Sequence, residues 1–279
     1  MPPFASLSVP PGRVGVHWFG QNSFALKAPG GTTILLDPYF PWNRPAEKYL
    51  HPEPPVRESE LPAQAVFLTH DHSDHTHPET LLRIRRAFPD CFFVGPPESF
   101  ARFSAALRSE PRFPPLLPSL PGEPAGPGRF IIVRAGESCE AGEFAAHFAL
   151  SKPPSGDPEH QIAAPEVLHL GVVFVVAGLR LYFSGDAIRT FAELDELVAP
   201  VRRLAPQAGF LTCHPTEGEF PDFPGCARMA QRLGLRIAFP SHYDCFVKRT
   251  YDPRAWAAAF AGAGIETRII PYNQAVLFP

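Results

Sequence analysis

Apolar residues in this chain come in short runs, and two periods alternate along it. Residues 14–19, 23–27 and 33–37 are β-branched and aromatic in character and are separated by Gly-containing turns, which predicts three strands. Residues 65–69 (Ala-Val-Phe-Leu-Thr) form a further buried-type strand that stops where a run of histidines begins. The period then changes. Leu82, Ile84 and Phe88 in segment 79–88 have helical spacing, with arginines on the opposite face. Segment 91–94 returns as a strand and 100–107 as a helix, and 111–128, rich in Pro and Gly, reads as a surface loop.

A second strand-rich stretch follows at 130–134, 143–150, 172–177 and 179–184. Helices at 191–204 and 226–233 then alternate with strands at 210–212, 236–239 and 267–270. Asp252-Pro253 supplies an N-cap and a first-turn proline for one more helix, which Gly262 would close. Strands followed by helices thus occur twice. Two mixed sheets packed face to face with helices outside accommodate that order. No internal sequence repeat accompanies it. The candidate site residues are split between the halves, so residues 1–279 are expected to form a single domain.

Composition narrows the function classes. At 279 residues and 45% hydrophobic, the chain is long enough to bury a substantial core. A net charge of −3, with only Lys27, Lys48, Lys152 and Lys248 as lysines, argues against a nucleic acid partner and for a small-molecule substrate. Cys91, Cys139, Cys213, Cys226 and Cys245 are odd in number and contain no CxxC pair, so reduced thiols and a cytoplasmic location are expected. Residues 1–11 lack a signal-peptide pattern, and no run is long and apolar enough to predict a membrane span. The sequence leaves a homo-oligomer open.

The chemistry is concentrated in Thr69-His70-Asp71-His72-Ser73-Asp74-His75. Neutral imidazole and carboxylate suit zinc, manganese or iron. A tight polar loop at a strand end can aim several side chains at one point. Four potential ligands within six residues, His70, His72, Asp74 and His75, leave room for two neighbouring divalent ions, Zn2+ or Mn2+ first and Fe as an alternative.

This spacing closely resembles the signature motif of the metallo-β-lactamase superfamily. The resemblance implies an α/β fold, a four-layer αββα sandwich of two mixed β-sheets. It matches Asp186, in Ser184-Gly185-Asp186, to the family's bridging aspartate, and His242, in Pro240-Ser241-His242, to its last metal histidine. His70 and His72 would then bind the first ion, and Asp74, His75 and His242 the second. The family usually adds one more histidine between the motif and the bridging aspartate. His169 and His160 are both candidates, whereas His147 lies inside an apolar strand and reads as a sheet residue. Asp37 either supports the metal histidines, as in the family, or is a turn residue before Pro38. Residues 18–24, 34–38, 239–244 and 271–273 are similar to the branch that includes L-ascorbate-6-phosphate lactonase.

The implied activity is hydrolysis by a metal-bound hydroxide of a small ester, lactone or phosphorylated substrate, with Asp74 as the catalytic carboxylate. Ser73 and Ser184 need no catalytic role. His214 and Glu217, in a polar loop after a strand, are candidates for the substrate pocket or for a capped loop. The alternatives are a phosphodiesterase or phospholipase on the same scaffold, or a non-catalytic binding protein retaining the fold. A di-iron oxidoreductase ranks lower, because it would more often place a carboxylate where His72 stands.

Overall fold

The computed structural model describes residues 4–110 and 112–279. The first three residues of the N-terminal segment, and Pro111 of the predicted loop, lie outside the described residues. Seven strands come first: β1 (Val14–Trp18), β2 (Phe24–Lys27), β3 (Thr33–Leu36), β4 (Ala65–Phe67), β5 (Phe92–Gly95), β6 (Leu117–Ser119) and β7 (Arg129–Ile132). Seven more follow: β8 (Ser138–Ala141), β9 (Phe144–Leu150), β10 (Leu170–Val176), β11 (Leu179–Phe183), β12 (Ala208–Thr212), β13 (Ile237–Ser241) and β14 (Glu266–Thr267). β15 (Gln274–Phe278) returns to the first sheet, whose order is β15-β1-β2-β3-β4-β5-β7-β6. The second sheet runs β14-β13-β12-β11-β10-β9-β8. Both are mixed. β3, β4 and β5 are parallel to one another, as are β11, β12, β13 and β14, while the hairpins are antiparallel.

Three apolar layers show how the sheets stack. Alternate residues such as Phe24, Ile34, Phe67 and Val94 meet Phe148, Phe174, Phe183 and Phe210 between the sheets. The opposite face of the first sheet, through Leu35, Val66 and Phe93, packs on α1 (Pro78–Ala87) and α2 (Pro97–Arg108). The opposite face of the second, through Val173, Tyr182 and Leu211, packs on α3 (Asp195–Arg203), α4 (Phe223–Leu233) and α5 (Pro253–Ala258). The expected αββα sandwich is therefore the fold. Burying each large apolar side chain contributes roughly 1.5–3 kcal/mol. The stacked series Phe183–Phe210–Phe239, with centroids 4.3 and 4.5 Å apart, concentrates that gain in the strands that carry the site.

Several boundaries differ from the sequence expectation. Segment 191–204 is not one helix: a 3-10 turn at Phe191–Glu193 precedes α3, which starts at Asp195. The last helix ends at Ala258 rather than at Gly262; beyond it, bonds such as Ala261 N–H to Ala258 O tighten the chain into turns. The strand expected at 267–270 is reduced to Glu266–Thr267 at a sheet edge. The predicted loop 111–128 contains β6, an edge strand on β7. β8 and β15 were not foreseen. β8 is a short edge strand, and most of β15 is only half-buried, so neither shows a strong apolar run. Among the described residues, no helix is long and apolar enough to cross a membrane. The five cysteines are buried and free.

Candidate metal centre

The site lies at the carboxyl ends of parallel strands, where strand-end loops can converge. β4 leads into His70–His75, β11 into Ser184-Gly185-Asp186, and β13 into His242. His75 N–H and Thr76 N–H both donate to His72 O, and Thr76 Oγ1 donates to His70 O, which folds the motif into a closed turn. Gly185 takes φ +56°, and a Cβ there would fall 2.4 Å from Leu170 O. Only glycine lets the chain turn so close to β10 and present Asp186. His242 itself adopts φ +66°, a costly conformation for a residue with a side chain. It is held there as His242 N–H donates to Gln21 O and Gln21 N–H donates to Tyr243 O.

The side chains form two adjoining donor groups. His70, His72 and His169 place one ligand atom each within 4.8 Å of one another, and so do Asp74, His75 and His242. Asp186 lies between them: its Oδ2 is 3.5 Å from His70 Nε2, and its Oδ1 is 3.3 Å from both His75 Nε2 and His242 Nε2. Of the two candidates for the extra histidine, His169 stands in the cluster. Its backbone is fixed when Ser151 N–H donates to His169 O and Leu170 N–H donates to Thr69 O. His160 stands elsewhere, bonded through Nδ1 to Asp157 at 2.9 Å, and half exposed. Asp71 turns away to pair with Arg102 on α2.

Asp37 follows β3 and is fully buried. It accepts Thr69 N–H at 2.8 Å, Thr69 Oγ1–H at 2.6 Å and His75 Nδ1–H at 2.7 Å. That bond turns His75 Nε2 towards Asp186. Because the Thr69 hydroxyl proton goes to Asp37, its oxygen receives His70 Nδ1–H at 3.0 Å, leaving His70 Nε2 as the free acceptor. Sequence reasoning missed two further residues. Gln21 Nε2 donates to Asp74 Oδ2 at 2.7 Å and to His242 Nε2 at 2.8 Å. Asn22 Nδ2 donates to Asp186 Oδ1 at 3.1 Å and to Thr212 Oγ1 at 2.8 Å. Their sequence signal is a polar pair inside segment 18–24, which by itself gives neither residue a role. Lys152, buried at the end of β9, pairs with Glu219 at 2.7 Å beside the cluster.

The donor set fits divalent cations. His70 Nε2 and His75 Nε2 are buried without a hydrogen-bond partner, an expensive state for atoms so far from water. With protein charges alone, burial holds His70, His169 and His242 below the ordinary imidazole value. Neutral imidazole is the form that binds metal. Burial would raise Asp186, but His242, His75 and His70 outweigh it and hold its carboxyl well below the usual range. Burial would likewise lower His75, yet Asp186, Asp37 and Asp74 hold it well above. A position where three carboxylates favour a proton is one where a metal cation can replace that proton.

His214 sits apart from the pocket beside Asp74. Its Nδ1 accepts Glu217 N–H at 3.0 Å and Thr216 N–H at 3.3 Å, so it caps its own loop. With Glu217 it borders a separate cavity near Arg189 and Phe220.

Sandwich and cluster together define a metallo-β-lactamase-type protein. The family model described as a beta-lactamase superfamily domain matches residues 32–243, and the chain belongs to that family. A relative in Cupriavidus taiwanensis named UPF0173 metal-dependent hydrolase is 25% identical over 271 residues, covering 93% of this chain and 85% of its own. Among solved structures, an isothiocyanate hydrolase from Delia radicum gut bacteria aligns with a TM-score of 0.66 at 16% identity, covering 94% of this chain and 98% of that one. A metallo hydrolase from Ignicoccus hospitalis aligns at 0.62 and 19%, covering 96% and 99%. At those identities the solved structures speak to the fold.

Proposed function

We propose that this protein is a metal-dependent hydrolase with two divalent cations, zinc or manganese, held on either side of Asp186. The observation that carries this reading is the pair of adjoining donor groups meeting at one buried carboxylate. His70, His72 and His169 would hold one ion, and Asp74, His75 and His242 the other, with Asp186 shared. Bound ions of this kind polarise a carbonyl or phosphoryl oxygen and acidify water to a pKa of about 7.

The chain's own groups supply the rest. Asp74 is the one carboxylate of the cluster that also lines an open pocket, so it is placed to accept a proton from incoming water. Gln21 N–H fixes the Asp74 carboxylate, and Asp37 fixes the His75 ring, so neither needs to reorganise during reaction. The pocket suits a small ester, lactone or phosphorylated substrate. The likeness of residues 239–244 and 271–273 to the L-ascorbate-6-phosphate lactonase branch favours the lactone. Asp74→Ala is expected to lower turnover by about 10² to 10³ while leaving the circular dichroism spectrum intact. Full activity with unchanged metal content would contradict the assignment.

A further inference from the structure

The cavity that opens on Asp74 has about 500 Å³ and is lined also by Tyr39, Phe246, Lys48, Lys248, Arg249, Glu47 and Ser73. A larger groove of about 740 Å³, between Trp42, Arg57 and Arg83, touches no residue of the cluster. The smaller cavity is therefore the one that bears on the chemistry. Its walls have an uneven character. Tyr39 and Phe246 are aromatic, their centroids 5.7 Å apart. Three of its side chains are cationic, and the lysines among them are two of only four in the whole chain.

Those cations are differently engaged. Arg249 Nε lies 3.2 Å from Glu217 Oε2 and is largely answered by it. Among the described residues, neither Lys48 nor Lys248 has an ion pair. Lys48 Nζ rests over the Tyr49 and Phe246 rings at 5.2 and 5.6 Å, which leaves its charge without an anion. The two lysines are also held together by the backbone. Leu50 N–H donates to Cys245 O and Val247 N–H donates to Lys48 O, both at 3.0 Å, so the segments carrying them meet at the Tyr49–Phe246 bridge. The second segment is continuous with His242. The lysines are thus registered to the cluster by a few residues of constrained chain, not scattered over a mobile surface.

Like charges that line one cavity favour an anion there. Of the carboxylates lining the cavity, Asp74 is bound by Gln21 and faces the histidines, and Glu47 pairs with neither lysine among the described residues. From this geometry we infer that Lys48 and Lys248 form an anion subsite, so that the substrate carries a carboxylate or phosphate group on an apolar body resting against Phe246. The inference rests on the hydrolase reading only in taking the Asp74 cavity as the substrate's. The lysines select the substrate; Asp74 and the histidines act on it.

Calorimetric titration with phenylphosphonate, phenylacetate and benzyl alcohol tests this, on metal-loaded protein and on protein treated with chelator. Both anions are expected to bind about tenfold more tightly than benzyl alcohol, and the Lys48→Gln/Lys248→Gln double variant to weaken them about tenfold in both preparations. Added salt should weaken them too, since the lysines are exposed. Tighter phosphonate than phenylacetate binding identifies a phosphate-bearing substrate, and the reverse a carboxylate. Anion binding unchanged in the double variant, or benzyl alcohol binding as tightly, would overturn the subsite. Lysine-dependent anion binding by a protein that takes up no transition metal would instead overturn the hydrolase reading and leave the subsite standing.

Discussion

The two donor groups meet at Asp186 but are braced in different ways. In the Asp74, His75 and His242 group, hydrogen bonds from outside set Asp74 and His75. Asp37 holds His75 through Nδ1 and Gln21 Nε2 holds Asp74, while the second Gln21 contact meets His242 at Nε2, the nitrogen a cation would take. In the His70, His72 and His169 group only His70 has such a bond among the described residues, from Nδ1 to Thr69 Oγ1, and the rings otherwise pack on one another. The His70 and His169 centroids are 4.1 Å apart, those of His72 and His169 4.9 Å. His72 is only half-buried and makes no side-chain hydrogen bond among the described residues. Ring packing resists burial of water but directs no lone pair, whereas a hydrogen bond to the far nitrogen fixes both tautomer and direction. The braced group should therefore hold its cation more tightly than the stacked group.

The strongest way to break the comparison is to remove what the groups share. Asp186→Asn keeps the volume and withdraws the charge between them, so turnover should fall by about 10³-fold or more and both groups should lose metal affinity. Loss from one group only, measured by metal content after dialysis, would show that Asp186 serves a single ion. A smaller effect sharpens the contrast. Asp37→Ala should weaken the equivalent held by Asp74, His75 and His242 by about 10- to 100-fold, as measured by competition with a chromogenic chelator, and the other by less, because Asp37 reaches His70 only through the Thr69 hydroxyl. Equal weakening of both would mean that the bracing is not local.

The same contrast explains what the sequence revealed. His70, His72, Asp74 and His75 lie on one strand-end loop, so local spacing exposes them. Asp186 and His242 each follow an apolar strand, but on that alone they read as turn and loop residues; the resemblance to the family is what marks them. His169 could not be separated from His160, because its place depends on the β9–β10 pairing that sets Ser151 against His169 O. Gln21 and Asn22 reach partners 221 and 164 residues away, and no local pattern marks such contacts. The αββα layering was visible because apolar alternation is strong in central strands. The edge strands β6, β8 and β15 were missed because edges bury less.

The smallest predicted effect concerns His77, just outside the braced group. Its Nδ1 accepts a hydrogen bond from Thr80 at the start of α1, which only an unprotonated nitrogen can do. Burial, outweighing the Glu79 carboxylate, lowers its pKa from 6.5 to about 4. Between those values the unfolded chain binds the extra proton. Stability from this residue is thus fully present above pH 6.5 and declines as pH falls towards 4. His77→Asn retains a capping acceptor and cannot titrate. Chemical denaturation of chelator-treated protein should show a shallower loss of stability across that window in the variant. An unchanged slope would mean that His77 does not contribute.

Metal stoichiometry bears most directly on the central claim of two cations astride Asp186. Elemental analysis of protein saturated with zinc or manganese and then gel-filtered should give two equivalents per chain. His169→Ala should give one, retained by Asp74, His75 and His242. No bound metal in the wild-type protein, or a single equivalent that His169→Ala leaves unaltered, would contradict the account.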